Sequence, residues 1–394
     1  MDFNKLKKRR DALNLLYSRW QPSPKFTARN LHDAEGYVLA ENLHAVHNLP
    51  VVRASGMDGI AVNFDLFEKG MPPDTTKWRA GREYVRADTG DDFDDAYDTV
   101  IPIEQVIIND DGGIQLSKDL MLKRGMHVNG RGSRLKEGDP LAVKGTLLAA
   151  RQLAVLAMGG ITEVSVIEKP KVGFIPTGSE LIPAGTSLAR GQNIDSNSIL
   201  AQFMLAEMGA EPMCYPIVKD KKEDLESVLD QALEECDFVI MNAGSSKGEE
   251  DLNTELLASK GELLCHGVAA VPGRPMGIAV ISEKAVINLA GPMIAAFYGF
   301  DWIIRDMVCK WIGRPVPVRK TVEAVLTEDF STPPPLERLA FMEVKKDKNQ
   351  YTVRPYNRKA DARLPSMMAN GLFITKLGER GYKKGDPISV ELLE

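Results

Sequence analysis

The stretch "DFVIMNAGSSKGEEDLNTELL", residues 237–257, is an apolar run followed by a loop rich in glycine and serine and then by a helix-forming run. The apolar run has the length of a buried strand, and the residues after the loop begin a run long enough for a helix of about three turns. The stretch therefore predicts a strand, a loop and a helix in that order.

The same alternation continues on both sides of this stretch, from Lys171 to Gly313. The predicted strands are "KVGFIPTGSE", which ends in a turn, "EPMCYPIV", "DFVIMNAG" and "AVINLAG". The predicted helices are "IDSNSILAQFMLAEMGA", "KEDLESVLDQALEEC", "DLNTELLASKG" and "PMIAAFYGFDWIIRDMVCKWIG". Strands that are almost entirely apolar and alternate with helices indicate a parallel sheet covered on both faces. We expect a three-layer α/β domain in a multidomain α/β chain.

The flanking regions have other patterns. After Gly313, runs such as "TVEAVLTEDF", "RLAFMEVKKD", "QYTVRPYN" and "DPISVELLE" alternate with a period of two between turns, which predicts a small all-β domain. Short strands and turns fill the region before "LAVKGTLLAARQLAVLAMGG", which itself is predicted to be helical, as is the N-terminal "MDFNKLKKRRDALNLLYSRW". The predicted domains are an N-terminal helical and linker domain of 1–46 with 136–168, an inserted β-rich domain of 47–135, the α/β domain of 169–315, and a C-terminal β domain of 316–394.

Composition excludes several classes of protein. The chain has 394 residues, too many for one hydrophobic core, and no apolar run reaches the roughly 18 residues that span a bilayer. One basic cluster at 5–10 in a chain of net charge -6 is typical of a solvated helix face, so we expect no nucleic-acid partner and no membrane partner. Four cysteines without a C-x-x-C pair predict neither a zinc site nor disulfides, and they fit a cytoplasmic location.

Three loops follow the ends of predicted parallel strands: "PTGSE" at 176–180, "NAGSSKGEED" at 242–251 and "AGPM" at 290–293. Ligands of such sheets bind beyond the carboxyl ends of the strands, and glycine, serine and threonine let the backbone and hydroxyl groups approach them. The second loop also leads into a helix N-terminus, which favours an anion, and Lys247 adds a positive charge. Glycine-rich turns join strands to helices in many proteins, but three at one sheet edge favour a binding site.

The second loop ends in three acids, Glu249, Glu250 and Asp251. Carboxylates repel phosphate directly, but Mg²⁺ bound by carboxylate oxygens bridges them to phosphate oxygens. Acids in the first turn of a helix also complement its dipole without any metal, and both explanations stay open for the individual residues.

Six motifs occur in one order along the chain. They are "MDGIAV" at 57, "ADTG" at 87, "NGRG" at 129, "PTGSEL" at 176, "AGSSKGEEDLNTE" at 243 and "VPGRP" at 271. Over essentially its whole length the chain resembles the molybdopterin molybdenumtransferases, the MoeA family that includes the E domain of gephyrin. The family has MDGYA, MTGAPVP, RRGED, STGDEL, GGVSVGEADYTK and KPGKP at these places, and six motifs in register are far more specific than one.

The resemblance implies a fold and an activity. It implies a molybdopterin-binding α/β domain and a C-terminal β-barrel, in a homodimer whose site lies between the α/β domain of one subunit and the β domain of the other. The implied reaction inserts molybdenum from molybdate into adenylylated molybdopterin and releases AMP, with Mg²⁺ as cofactor, in molybdenum cofactor biosynthesis. Further partners would be a molybdenum enzyme or another protein of the cofactor pathway.

Site residues follow from the resemblance motif by motif. Asp58, Glu180 and Asp251 correspond to the acids around metal and molybdate. The implied binding residues are Thr89, Arg131, Thr177, Gly178, Gly244, Ser245, Ser246, Lys247, Gly248, Pro272, Gly273, Arg274 and Gly291. Among these, the threonine of "DTG" is a hydroxyl donor, and the two arginines supply guanidinium groups that suit oxyanions.

Some loops depart from the family. LPGNP is "LAGPM" here, the acid of RRGED is Arg134, the first lysine of KPGKP is Val271, and SHIFSS is "ARLPSMM" at 362. Because proline fixes φ, losing two prolines predicts a changed loop at the molybdenum site. The alternative hypothesis is therefore an altered MoeA-like paralogue that binds the pterin cofactor and hands it to a partner enzyme. A scaffold role has no sequence feature in its favour.

Overall fold

The structure, a computed structural model, describes residues 6–68, 71, 73–243, 252–333, 335–348, 350–356 and 369–393. It divides into two compact units, one formed by residues 26–166 and the other by residues 1–25 together with 167–394. The helix Arg9–Arg19, predicted from the N-terminal sequence, belongs to the second unit. The finer division into four domains stays a prediction.

The unit of residues 26–166 consists mainly of short strands. One sheet has the strand order Phe26–Asn30, Glu163–Ile167, Val38–Leu39, and a second has the order Tyr84–Ala87, Gly59–Val62, Thr99–Pro102. Two-stranded pairs join Leu43–His44 to Pro140–Ala142, Ala54–Ser55 to Val128–Asn129, and Val106–Ile108 to Ile114–Leu116. The helix is Ala150–Met158, and 3-10 turns are Leu31–Asp33, Phe64–Leu66 and Ile103–Gln105.

One helical prediction in this unit is wrong in its first half. Residues 140–142 form a strand instead, and only Ala150–Met158 is helical. Gly138 and Gly145 have φ values of 87° and 86°, a left-handed backbone that interrupts a helix and turns the chain. The segment between these turns pairs with Leu43–His44.

The second unit contains a six-stranded sheet. Its strands are β1 (Lys171–Thr177), β2 (Glu211–Cys214), β3 (Phe238–Ala243), β4 (Glu262–His266), β5 (Gly277–Ile281) and β6 (Lys284–Leu289), in the order β2-β1-β3-β6-β5-β4. The strands β2, β1, β3 and β6 are parallel, as predicted, whereas β5 and β4 extend the sheet antiparallel. The two-residue turn Ser282–Glu283, with φ of 48° and 64°, reverses the chain between β5 and β6.

Helices cover both faces of this sheet, which confirms the three layers. On one face, Leu229 of helix Lys222–Glu235 and Leu257 of helix Leu252–Lys260 belong to one buried cluster with sheet residues. The remaining helices are Asn197–Met208 and a continuous run of Met293–Gly299, a π-helical turn Phe300–Ile304, and Arg305–Trp311. On the other face Phe300 packs against Phe174 of β1, with 6.0 Å between the ring centroids.

A closed five-stranded barrel follows. Its strands are β7 (Thr321–Leu326), β8 (Glu337–Asp347), β9 (Gln350–Pro355), β10 (Gly371–Ile374) and β11 (Pro387–Leu392), and β7 pairs with both β9 and β11 to close the ring. Shorter pairs are Leu181–Ile182 with Asn193–Ile194, Ala270–Val271 with the start of β8, and Phe330–Ser331 with Gly381–Tyr382. The predicted α/β multidomain fold is therefore confirmed. In the described part of the chain, no helix is long and apolar enough to cross a membrane.

Candidate active site

The strand order places a crevice between the carboxyl ends of β1 and β3. From β1 the chain moves outward to β2 and then returns to the other side of β1 for β3, and ligands of such sheets bind where this direction changes. Thr177, the last residue of β1, pairs with Ala243, the last residue of β3. The loop after β3 lies outside the described residues. It contains the predicted Gly244, Ser245, Ser246, Lys247, Gly248 and Asp251.

Two more loops reach the same edge of the sheet. Gly291 is the second residue after β6. The segment 272–274 precedes β5, and because β5 runs antiparallel to β6, its first residue Gly277 pairs with Asn288 near the end of β6. The structure thus brings the predicted Thr177, Gly178, Glu180, Pro272, Gly273, Arg274 and Gly291 to one edge.

Beneath these loops lies a buried layer of amide and hydroxyl groups. Asn253 donates from Nδ2 to Thr177 Oγ1 at 3.1 Å and to Asn288 Oδ1 at 3.2 Å. The Thr177 hydroxyl donates to the Asn242 carbonyl oxygen at 3.2 Å. These side chains are at most 4% exposed, so their hydrogen bonds are needed to offset the loss of water. The roles of these three asparagines were not predicted from the sequence.

The same layer holds the altered loop after β6. Asn242 donates from Nδ2 to the Ala290 carbonyl oxygen at 3.1 Å. Asn197 donates from Nδ2 to the Gly291 carbonyl oxygen and to Asn242 Oδ1, both at 2.7 Å. Buried amides therefore anchor two carbonyls of the "LAGPM" loop, from which the sequence lacks two prolines of the family pattern.

The loop after β1 is closed by a reciprocal pair of hydrogen bonds. The Ser179 N–H donates to Asp220 Oδ2 at 2.9 Å, and the Asp220 N–H donates to Ser179 Oγ at 3.1 Å. Glu180 is half-buried next in the chain. A Cβ added at Gly178 would lie 2.6 Å from Glu180 Oε2, so a side chain here would displace this carboxylate, and the φ of 153° favours glycine.

In the unit of residues 26–166, Asp58 and Thr89 meet directly. The N–H and the hydroxyl of Thr89 both donate to Asp58 Oδ1 at 2.7 Å. The side chain of Asp58 is exposed, and the two Thr89 bonds, helped by the charge of Arg86, lower the pKa of this carboxyl. Gly59 next to it has no room for a side chain, because a Cβ would lie 1.9 Å from the Ile101 carbonyl oxygen. Asp58 is therefore a fixed, ionised carboxylate at neutral pH.

The third motif of this unit meets the other two. The strand Val128–Asn129 pairs with Ala54–Ser55, and the exposed Arg131 lies in the turn that follows. The Gly90 N–H of "DTG" donates to the Ser55 carbonyl oxygen at 2.9 Å. The structure thus brings the "MDG", "DTG" and "NGRG" segments together, as expected for parts of one site.

The Asp58–Thr89 contact gives a testable prediction. Thr89→Val removes the hydroxyl donor, so the carboxylate is less stabilised and the pKa of Asp58 rises toward its ordinary value of 3.8. A carboxyl-carbon NMR titration of protein with labelled aspartate measures this shift. Thr89→Ser keeps the hydroxyl and should leave the pKa low, whereas an unchanged pKa in the valine variant would contradict the role of the hydroxyl.

The exposed carboxylate of Asp58 offers an oxygen ligand of the kind that suits a hard cation. Among the residues that the structure describes, no three histidine, cysteine or acidic side chains gather into one cluster. Mg²⁺ takes oxygen ligands and is commonly held by one or two carboxylates together with substrate phosphates. Thr89 donates both of its hydrogen bonds to Oδ1 of Asp58, and Oδ2 of Asp58 suits such a cation.

The α/β fold and the loops at its strand ends define the class of α/β proteins that bind a ligand beyond the carboxyl ends of parallel strands. Residues 173–310 match the family described as "Probable molybdopterin binding domain", and residues 8–160 match the "MoeA N-terminal region (domain I and II)". The chain belongs to the MoeA family.

Relatives match over nearly the full length. A protein of Staphylococcus epidermidis named molybdopterin molybdenumtransferase is 28% identical over 382 residues, covering 93% of this chain and 90% of the relative. A protein of the same name from Bacillus subtilis is 27% identical over 381 residues, covering 92% of this chain and 89% of the relative. A crystal structure of a molybdopterin biosynthesis MoeA protein from Pyrococcus horikosii matches with a TM-score of 0.81 at 25% identity, covering 98% of this chain and 99% of that one.

Proposed function

We propose that this protein is a molybdopterin molybdenumtransferase, which inserts molybdenum from molybdate into adenylylated molybdopterin and releases AMP. One observation is the main support: three described loops of the α/β domain, those after β1, before β5 and after β6, reach one sheet edge above a buried, hydrogen-bonded polar layer. Such a layer keeps the loops in place while they surround a charged substrate. The full-length similarity to proteins of this name supports the same activity.

In this proposal the acids hold the charged part of the reaction. Asp58, Glu180 and Asp251 hold Mg²⁺ and orient molybdate, and Arg131 and Arg274 bind oxyanion oxygens. The loops of residues 177–178, 244–248, 272–274 and 291 surround the pterin nucleotide, and Thr89 holds the Asp58 carboxylate in place. Mg²⁺, when bound, would neutralise negative charge at the phosphates.

A homodimer in the cytoplasm is part of the same proposal. Its support is the resemblance, in which the α/β domain of one subunit and the β domain of the other form the site. The product would pass to a molybdenum enzyme or another protein of the cofactor pathway. We expect a dimer by light scattering at micromolar concentration, and a monomer under the conditions of the activity assay would contradict the shared site.

The test is AMP release from adenylylated molybdopterin by the purified protein with Mg²⁺, with and without molybdate or tungstate. We expect release that depends on an oxyanion, and the preferred oxyanion identifies the metal that the protein inserts. Tight pterin binding without AMP release would overturn the proposal and support the handover alternative, which no comparison favours.

A further inference from the structure

A second concave site lies beside the loop after β1, on the side of β2 and away from β3. It is a pocket of 610 Å³ between the end of β1, the residues after β2 and the start of helix Asn197–Met208. Gly178 and Ser179 line it, so the loop that bears Glu180 forms one of its walls. The pocket has the size of a small-molecule site and adjoins the crevice described above.

Most of the wall of this pocket is apolar. The apolar lining comes from Leu181, Pro183, Ile199, Pro216 and Ile217. Ile199 is 51% exposed although it is a large apolar side chain. Apolar surfaces of this kind favour the faces of a flat ring over a hydrated ion.

One buried charge lies in the polar part of the pocket. Asp195 is only 8% exposed and lines the pocket. Its Oδ1 accepts the N–H groups of Asn197 at 3.1 Å and Ser198 at 3.0 Å, and its Oδ2 accepts the Ser198 hydroxyl at 2.5 Å. A carboxylate has about four acceptor positions, so one position on Oδ2 remains for a donor from a ligand. A buried carboxylate of this kind selects an N–H donor and rejects an anion.

We propose that this pocket binds a flat, nitrogen-containing bicyclic ring of the substrate, whose ring N–H or amino group donates to Asp195 Oδ2. The inference rests on the proposed function, because adenylylated molybdopterin has such a ring at each end, a pterin and an adenine. The ring lies between Leu181 and Ile199, and Lys219 at the pocket wall pairs with the phosphate that follows the ring. The rest of the substrate continues across the Thr177–Glu180 loop into the crevice.

Cys214 gives a direct readout of the pocket. It lines the pocket and is exposed, whereas Cys236, Cys265 and Cys309 are buried. Burial of part of the side chain raises the pKa of the Cys214 thiol, so its modification by a maleimide is best followed at about pH 8.5. Ring binding should cover the sulfur, and we expect saturating ligand to slow its modification about tenfold. Cys214→Ser should remove the fast-reacting thiol.

AMP and pterin-6-carboxylate are tested separately, which distinguishes the two ends of the substrate. Protection by AMP alone assigns the pocket to the adenine, and protection by the pterin alone assigns it to the pterin. Protection by neither ring at millimolar concentration would overturn the proposal.

Two tryptophan variants test whether the bound ring covers Cys214 directly or slows its modification from another site. Ala184 is exposed and lines the pocket, whereas Ala189 is exposed on the same loop outside the lining. Ala184→Trp should fill the pocket and abolish protection, and Ala189→Trp should keep it. Equal protection in both variants would also overturn the proposal.

The outcome can be told apart from a failure of the proposed function. If AMP is released but neither ring protects Cys214, the transferase proposal stands and the proposed ring site in the pocket is wrong. If a ring protects Cys214 but AMP release does not depend on an oxyanion, the proposed ring site stands and the transferase proposal is wrong.

Discussion

Asp58→Asn should lower kcat/KM for AMP release about 10²- to 10³-fold, the range typical of losing one electrostatic group from an active site. The amide oxygen can still accept both Thr89 hydrogen bonds, so the local structure should survive while the negative charge is lost. Because the carboxylate is proposed to hold Mg²⁺, the Mg²⁺ concentration for half-maximal activity should rise as well. Steady-state AMP release across a Mg²⁺ titration measures both effects.

The chain offers a matched control for this charge. Asp74 lies in the same unit, is exposed, and accepts the N–H of Thr76 at 3.1 Å and its hydroxyl at 2.7 Å. These bonds lower the pKa of Asp74 just as Thr89 lowers that of Asp58. Asp74→Asn should therefore keep full activity. If Asp58→Asn were as active as Asp74→Asn, Asp58 would not be a catalytic residue.

The sheet could be predicted where its strands are parallel, because a strand covered on both faces is apolar at nearly every position. The strands β1, β3 and β6 show this pattern, and the loops after β1 and β6 lie where they were predicted. The antiparallel extension was missed because a two-residue hairpin is usually signalled by Asn-Gly or Asp-Gly. Here the turn is Ser282–Glu283, neither of which favours a positive φ.

The barrel illustrates another limit of sequence patterns. Four of its five strands alternate or are flanked by clear turns, and they were predicted. The fifth, Gly371–Ile374, has only four residues, and it becomes a strand because β8 and β11 pair with it on its two sides. Short strands of this kind depend on tertiary pairing, which periodicity does not record.

The site was predicted in part. The described loop residues lie at one sheet edge, and Asp58 meets Thr89, but the roles assigned to them stay predictions. The buried asparagines were missed because an apolar run is assigned as a buried strand, and a single amide within the run does not change that assignment. Asn242 in "FVIMNA" and Asn288 in "KAVINL" were the available signal, since a polar residue in a buried strand needs a hydrogen-bond partner.

Asn242→Leu should lower the free energy of unfolding of the unit of residues 1–25 and 167–394 by about 2 to 4 kcal/mol. The reason is that each buried polar group left unpaired costs about 1 to 3 kcal/mol. Asn242 is 2% exposed, and leucine has the same branched shape with larger end groups, so the change removes the hydrogen bonds without creating a cavity. The Ala290 carbonyl oxygen would lose its donor, and Asn197 Nδ2 would lose one of its two acceptors. The loop after β6 would then lose hydrogen bonds that hold its position. The rate of AMP release should fall by at least tenfold, because small displacements of positioning groups slow a reaction strongly.

Urea unfolding followed by tryptophan fluorescence measures the stability change, and three of the four tryptophans, Trp20, Trp302 and Trp311, lie in this unit. Gln231→Leu is the matched control. Gln231 is exposed on helix Lys222–Glu235, and its amide makes one hydrogen bond, to Glu235 at 3.0 Å, so its loss should change stability by no more than about 0.5 kcal/mol. If Asn242→Leu were as stable and as active as Gln231→Leu, the buried amide layer would not be what holds the altered loop in its working position.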